Sequence, residues 1–290
     1  RVRPAHGLLR GRPLGAGAER PAHPGLSAPL RGPAESGAMQ MRWNSADDFT
    51  VRLLADADIG PGQRVLDIGC GNGAGTRMIA ERLGPSGEVV GLDRNAAVLD
   101  MARKSLAEAG LANARFVQGD LNALPGDIGQ FDAIVGRRVL MYQPDAAATL
   151  RHLRDALQPD GVIVLQEHDA TGTPLSHASL PLHERIHHLI FETVRREGAN
   201  LRMGFDLSPA LEAAGFAIED LRAQATVLSP VMDHPIGTII RSMLRRMIEQ
   251  GVIAEGELEV DGLDLRLFEE RRAANATCLW ELVFGVCAHR

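Results

Sequence analysis

Three closely spaced glycines, Gly69, Gly71 and Gly73, form the clearest chemical motif in the 290-residue sequence. They follow the apolar run Val-Leu-Asp-Ile at 65–68, which predicts a buried strand, and they precede a helical pattern. Glycine lacks a Cβ, so such a turn can adopt unusual backbone angles and lets a ligand approach closely. The free N–H groups of the following helix add a positive potential. The pattern predicts a small-molecule site at the carboxyl end of a strand.

Two acidic residues accompany the turn. Asp93 ends the next apolar run, where its carboxylate can accept hydrogen bonds from both hydroxyls of a ribose. Asp67 lies two residues before Gly69, where a carboxylate can meet an ammonium group but would repel a pyrophosphate. The glycines alone also satisfy the dinucleotide pattern GxGxxG/A. An NAD-dependent oxidoreductase therefore remains the alternative, with Asp67 as the residue that disfavours it.

Apolar runs and helical patterns alternate along the chain, which predicts an α/β fold with a mainly parallel sheet. The predicted strands cover 64–68, 88–92, 114–118, 131–136 and 161–166, and the predicted helices cover 47–57, 76–83, 96–109 and 145–157. After Asp169 the alternation ends. The remaining patterns predict helices over 179–197, 208–214, 236–250 and 255–273, and strands over 216–227 and 277–286.

Four motifs in order resemble those of class I S-adenosylmethionine-dependent methyltransferases. They are Asp67-Ile-Gly-Cys-Gly-Asn-Gly73, Gly91-Leu-Asp93, Gly119-Asp120-Leu121 and Leu157-Gln-Pro-Asp-Gly161. The resemblance covers about residues 47–169. It implies a doubly wound, Rossmann-like sheet of seven strands with the last one antiparallel, and S-adenosylmethionine as the cofactor. The span between the last two predicted strands is longer than in most of the family, and its helices imply either a cover over the substrate or a homodimer contact.

The resemblance also implies roles for single residues. Asp67 and Gly69 would line the methionine end of the cofactor, and Asp93 would hold the ribose. Asp120 would accept a hydrogen bond from the adenine amino group, with Leu121 against the ring. Arg137 would lie near the methionine carboxylate or the substrate. The full set of expected cofactor contacts is Asp67, Gly69, Cys70, Gly71, Gly73, Asp93, Arg94, Asp120, Leu121 and Arg137.

The expected reaction is methyl transfer to a small organic acceptor, in which positioning supplies much of the rate. A hydroxyl oxygen is the expected acceptor atom, with nitrogen and carbon as alternatives. A hydroxyl acceptor must lose a proton, so a base is useful. The candidate catalytic residues are His168 at the end of the fifth strand, Tyr142 after the fourth, and His187 on a predicted helix. A binding or regulatory protein, or an enzyme of a non-methyl reaction, is a third interpretation.

One further pattern, His183-Glu184-Arg185-Ile186-His187, matches HExxH, in which two histidines on one helix face can bind zinc. This pattern comes after a complete set of cofactor motifs in the sequence, and no well-placed third zinc ligand follows it. Gly136-Arg137-Arg138 also offers no carboxylate cluster after the fourth strand. The sequence therefore predicts no metal, and His187 is interpreted instead as part of a helix facing the substrate or the core.

Composition limits the domain bounds, the kind of partner and the kind of protein that the sequence can represent. Residues 1–38 hold six arginines, two glutamates and many Pro, Gly and Ala, which predicts a disordered leader or vector-derived segment before a start at Met39 or Met41. The rest is acidic, which disfavours a nucleic-acid partner. No apolar run predicts a membrane span, and three scattered cysteines indicate reduced thiols in a cytoplasmic protein. The expected methyltransferase domain covers 39–290, with a cofactor-binding core at 47–169, a helical lid insert at 170–206 and a C-terminal part at 207–290.

Overall fold

A computed structural model describes residues 46–290, which form one sheet with helices on both faces. The predicted leader at 1–38 and the two candidate start residues lie outside the described residues. The strands are β1 Arg64–Ile68, β2 Glu88–Asp93, β3 Ala114–Gln118, β4 Phe131–Arg137, β5 Leu157–Asp169, β6 Leu175–Ser176, β7 Ala217–Leu228 and β8 Cys278–His289. The helices are α1 Ala46–Asp56, α2 Ala74–Leu83, α3 Ala96–Glu108, α4 Ala146–Asp155, α5 Pro181–Arg196, α6 Met203–Ala213, α7 Ile236–Glu249 and α8 Leu263–Ala273.

The strand order is β3-β2-β1-β4-β5-β8-β6, with β7 also paired to β8. The first five strands run parallel, and β8 lies antiparallel between β5 and β7. This confirms the doubly wound sheet with a terminal antiparallel pair. The sheet has eight strands rather than seven, because the two-residue strand β6 also pairs with β8.

Alternate residues of the strands pack on opposite faces of the sheet. Val65 faces a core formed with α1 and α2, whereas Leu66 faces a larger core formed with α4 to α8. Because both faces are covered, β1, β2 and β4 are buried almost throughout, which explains why their sequences are continuous apolar runs.

Two helices in the C-terminal half begin at other residues than the sequence predicts. The last one begins at Leu263 rather than at 255, because Gly256 and Gly262 both have positive φ and interrupt a helix. Helix α6 begins at Met203 rather than at 208, and Met203, Leu207 and Leu211 form its buried stripe.

Helix α7 packs against both α5 and α8. The interpretation of α7 and α8 as a homodimer contact stays a prediction. Within residues 46–290, no helix has both the length and the apolar character required to span a membrane. The three thiols, Cys70, Cys278 and Cys287, are buried and free of disulfides.

Candidate cofactor and substrate site

The glycine turn leaves β1 in a conformation that only glycine adopts readily. Gly69 has a φ of +60°, and a Cβ at this position would lie 2.5 Å from Cγ2 of Val139. Gly73 caps the start of α2 with a φ of +84°, and a Cβ there would lie 2.9 Å from Cβ of Ala102. Both the backbone angles and the lack of space therefore require glycine.

Asp93 lies directly beside this turn. Its Oδ2 accepts a hydrogen bond of 3.0 Å from the backbone N–H of Gly71, and its Oδ1 accepts one of 2.9 Å from Asn95 N–H. The backbone N–H of Gly119 donates to the carbonyl of Asp93 at 3.1 Å, so the residues after β3 join the same edge. The turn, the acidic end of β2 and the segment after β3 thus lie together, as the proposed binding site requires.

Asp67 is buried beneath the turn, with 2% of its surface exposed. Thr76 Oγ1 donates to its Oδ2 at 2.6 Å. Burial raises the pKa of Asp67 to about 6, although the hydrogen bond from Thr76 and the nearby Arg137 favour the charged form. A ligand ammonium group placed here would further stabilise the carboxylate.

Arg137 connects the cleft to α1. Its Nη1 donates to Asp47 Oδ1 at 2.7 Å and to Thr50 Oγ1 at 3.0 Å. Thr50 in turn donates to Oε1 of Gln166 at 2.6 Å. Arg137 is therefore held between α1 and the ends of β4 and β5, and its predicted contact with the cofactor or substrate stays a prediction.

The remaining expected cofactor contacts lie at the same strand ends. Asp120 is exposed, and its Oδ1 accepts from the backbone N–H of Asn122 at 2.8 Å, while Leu121 is buried. Arg94 is exposed at the end of β2. Cys70 has a buried side chain, and burial raises the pKa of its thiol far above the ordinary value, so the thiol is neutral.

Several residues of the cleft are absent from the sequence-based set. Asn72, Ala74, Gly75 and Arg138 line it together with Asp67, Gly69, Cys70 and Arg137. Arg138 is exposed and has a φ of +54°, a left-handed conformation that non-glycine residues seldom adopt and that often marks functional sites. A sequence pattern carries no signal for such a backbone angle, so Arg138 could not be predicted in this way.

His168 lies beside a carboxylate at the carboxyl end of β5. Its Nδ1 lies 3.1 Å from Oε2 of Glu281 on β8, and Glu281 Oε1 accepts a hydrogen bond of 3.2 Å from Thr226 Oγ1. The side chain of His168 is 4% exposed, and its Nε2 has no hydrogen-bond partner among residues 46–290. Sequence reasoning found His168 but missed Glu281, which is more than a hundred residues away.

Glu167 occupies the opposite face of the same strand end. Its Oε1 accepts hydrogen bonds from the backbone N–H groups of Val139 at 2.9 Å and Leu140 at 2.6 Å. Burial raises the pKa of Glu167 to about 7, although these hydrogen bonds favour the carboxylate. Its Oε2 is buried without a partner in the described part of the chain.

The other two candidate catalytic residues are largely buried among neighbouring side chains. His187 Nε2 lies 3.0 Å from Thr173 Oγ1, and its ring meets Trp280 edge-on at 5.4 Å between centroids. Burial lowers the pKa of His187 to about 4, so it is neutral at pH 7. Burial raises the pKa of Tyr142, and a hydrogen bond with Arg246 on α7 opposes that shift. Their catalytic roles stay predictions.

The first histidine of the HExxH pattern takes part in a structural network. Nδ1 of His183 lies 2.6 Å from Glu270 Oε2, and its Nε2 lies 2.7 Å from Nη1 of Arg271. Both ring nitrogens are therefore engaged with side chains of α8. This arrangement connects α5 to α8 and explains why His183 is fully buried.

Comparisons with known proteins identify a methyltransferase domain in this chain. A family model described as a methyltransferase domain matches residues 59–215. The demethylmenaquinone methyltransferase of Lactococcus lactis is 35% identical over 145 residues, which are 50% of this chain and 54% of that protein. The ubiquinone/menaquinone biosynthesis C-methyltransferase UbiE of Ectopseudomonas mendocina is 37% identical over 144 residues, which are 48% and 53% of the two chains.

Solved structures share the fold. The YcgJ protein of Bacillus subtilis superimposes with a TM-score of 0.53 at 18% identity, over 84% of this chain and 98% of that one. At this identity the likeness concerns the fold alone. The chain spans about half the length of the two curated relatives described above.

Proposed function

The chain belongs to the methyltransferase-domain family, and on that premise we propose that it transfers a methyl group from S-adenosylmethionine to a small organic acceptor. The observation that supports this most strongly is the contact between Asp93 and the Cβ-free turn at Gly71. A carboxylate suited to ribose hydroxyls therefore lies beside a glycine-rich backbone turn, which supports binding of this cofactor.

The chain's own residues fit the parts of this cofactor. Asp67 suits the ammonium group of the methionine portion, Asp93 suits the ribose hydroxyls, and Asp120 suits the adenine amino group. Leu121 offers an apolar surface for the adenine ring. The bound cofactor supplies an electrophilic methyl group on a sulfonium, and the protein's contribution is to align the acceptor with it and to exclude water.

The acceptor atom is a separate question. The names of the two relatives, one of them a C-methyltransferase, favour carbon in a quinone-like ring. A hydroxyl oxygen is favoured instead by His168, a base at the strand edge where acceptors bind in α/β enzymes. We propose a small organic acceptor in either case, because the acidic chain offers little to attract a nucleic acid.

An NAD-dependent oxidoreductase is less well supported. Its cofactor would place a pyrophosphate near the turn, where the buried Asp67 would repel it. A protein that binds the cofactor without catalysis would have no use for a base such as His168 at the carboxyl end of β5.

Isothermal titration calorimetry of the full chain with S-adenosylmethionine, and separately with NAD, tests the proposal. We expect binding of S-adenosylmethionine, and we expect Asp93→Ala to weaken it at least tenfold, because two charge-assisted hydrogen bonds to the ribose are lost. Asp100→Ala, at an exposed residue of α3, is the matched control and should bind as the unmodified protein does. Binding of NAD alone, or equal affinity in Asp93→Ala, would contradict the proposal.

A further inference from the structure

We propose that His168 is the general base of the reaction, held by Glu281, and that the acceptor carries an acidic hydroxyl group, as in a phenol or an enol. This inference rests on the proposed methyl transfer. It adds the chemical class of the substrate. It also adds a residue that sequence reasoning did not find, Glu281, as the partner of His168.

The first argument is the state of His168 Nε2. The atom is buried and has no hydrogen-bond partner within residues 46–290. Leaving a buried polar atom unpaired is unfavourable, so such an atom in a folded protein calls for an explanation. A bound acceptor with a hydroxyl group would supply the missing partner.

The second argument is the partner of the other ring nitrogen. Glu281 Oε2 lies 3.1 Å from Nδ1 of His168, which keeps the proton on Nδ1 and leaves Nε2 as the basic atom. Burial by itself would raise the pKa of Glu281, but His168, Arg138 and Thr226 lower it to about 2. The lowering by His168 operates when the imidazole is protonated, so the carboxylate of Glu281 can stabilise the imidazolium that forms when His168 takes up a proton.

The third argument is location. Arg138 lines the cofactor cleft and at the same time stabilises the negative charges of Glu281 and Glu167. The backbone N–H of Arg138 donates to the carbonyl of Gln166 at 2.8 Å, two residues before His168. Arg138 thus connects the His168–Glu281 pair to the cleft in which the methyl group would be presented. The exposed guanidinium of Arg138 can also balance the negative charge of a deprotonated acceptor.

The proposed step is balanced without a further reactant. The acceptor O–H bond breaks and its proton moves to Nε2 of His168, leaving an oxyanion. The electron pair of that anion forms a bond to the methyl carbon while the carbon–sulfur bond breaks and its electrons return to sulfur. The imidazolium then releases its proton to water.

An acidic hydroxyl accommodates both acceptor atoms considered above. The anion of a phenol or an enol carries negative charge on its oxygen and on a neighbouring carbon, and either atom can attack the methyl group. Attack through a ring carbon gives a dienone, which loses that carbon's proton to water while its oxygen takes up a proton, and the aromatic ring is restored. Ionisation of the hydroxyl by His168 is the first step in both cases, so the inference does not depend on which atom is methylated.

The test uses 4-nitrophenol, whose anion is coloured, added to the full chain in the presence of excess S-adenosylhomocysteine. The unmodified protein should bind the probe and raise the fraction present as phenolate. His168→Asn should lower the phenolate-to-phenol ratio of the bound probe about tenfold, equivalent to a change of about one pKa unit. Glu281→Gln should give a smaller decrease in the same direction, because Nδ1 keeps an acceptor but loses its counter-charge.

A matched control comes from another histidine–glutamate pair on the same sheet. His289 Nε2 lies 2.8 Å from Glu219 Oε2 at the opposite end of β8, so His289→Asn should behave as the unmodified protein does. Absence of a phenolate increase with the unmodified protein, or an equal increase in His168→Asn, would overturn the inference. If His168→Asn does not fold, an unchanged ratio in Glu281→Gln overturns it.

Titration of each variant with S-adenosylmethionine separates the two proposals. Failure of the unmodified protein to bind S-adenosylmethionine contradicts the proposed function. Normal cofactor binding in all variants, with no change in the phenolate ratio, contradicts only the assignment of His168.

Discussion

Glu167 is a fully buried carboxyl group whose pKa is raised from 4.5 to about 7 by burial. The folded protein therefore binds a proton on Glu167 more tightly than the unfolded chain does. The corresponding stabilisation is complete below pH 4.5 and is lost as the pH rises through about 7. The stabilisation lost over this pH range is about 3 kcal/mol at most, because each pKa unit corresponds to about 1.36 kcal/mol.

Glu167→Gln removes this titration but keeps an oxygen that can accept hydrogen bonds from the backbone N–H groups of Val139 and Leu140. We therefore expect the stability of the variant, relative to the unmodified protein, to increase as the pH is raised from 4.5 to 7. Urea unfolding at a series of pH values measures the difference. Glu108→Gln, at an exposed residue of α3, should give no such difference. Parallel profiles for Glu167→Gln and the unmodified protein would contradict the pKa shift.

At the scale of elements, the start of α5 depends on a residue far along the chain. Leu180 precedes α5 and provides no side-chain cap. Instead Oε1 of Glu270 accepts from the backbone N–H of Leu182 at 2.7 Å, and its Oε2 accepts from the N–H of His183 at 3.1 Å. A carboxylate at a helix N-terminus also interacts favourably with the helix dipole. Helix α8 thus caps α5.

Glu270→Ala should lower the free energy of unfolding by about 2–4 kcal/mol, because the helix loses its cap and the N–H groups lose their acceptors. Amide hydrogen exchange at Leu182 and His183 should become faster. Glu269→Ala, at the neighbouring residue outside this network, is the control and should change stability by less than about 0.5 kcal/mol. Urea unfolding measures both variants, and equal stabilities would refute the capping role.

The same distant cap illustrates what the sequence could and could not predict about the elements. The first four strands and their helices were predicted closely, because each is a short segment with its own apolar periodicity, as in the full agreement at Arg64–Ile68. Helix α8 was predicted eight residues too early, since a helical pattern of charges does not reveal the positive φ of Gly256 and Gly262. Strand β6 has only two residues and no periodicity to detect.

The candidate site divides in a similar way. The proposed cofactor half could be suggested from the sequence because its residues lie in short motifs at the ends of consecutive strands, such as Asp67 and Asp93. The substrate half depends on contacts between residues distant in sequence. Glu281 pairs with His168 only because β8 inserts next to β5, and Arg138 stands out only through its backbone angle.

At the scale of the whole molecule, the edge of the sheet at the carboxyl ends of the parallel strands differs in chemistry from the edge at their amino ends. The carboxyl edge of the parallel strands carries the glycine turn and Asp93. The opposite edge holds a larger cavity of about 550 Å³, lined by Asp56, Asp132, Asp160 and Glu219 among others. That cavity is acidic and lies at the amino ends of the parallel strands, whereas ligands of open α/β sheets bind at the carboxyl ends. Size alone would therefore select the edge opposite to the proposed cofactor site.

Hydrogen exchange with and without S-adenosylhomocysteine distinguishes the two edges. At a ligand concentration of about one hundred times its Kd, binding stabilises the folded state by about 2.7 kcal/mol, which limits slowing of exchange to about a hundredfold. We expect the strongest slowing at residues 69–73, 93–95 and 119–121, and little local effect at residues 158–162 beside the acidic cavity. The latter segment is the internal control, because it belongs to the same sheet. Protection centred on 158–162 would move the cofactor to the other edge and would contradict the roles of Asp93 and the glycine turn together.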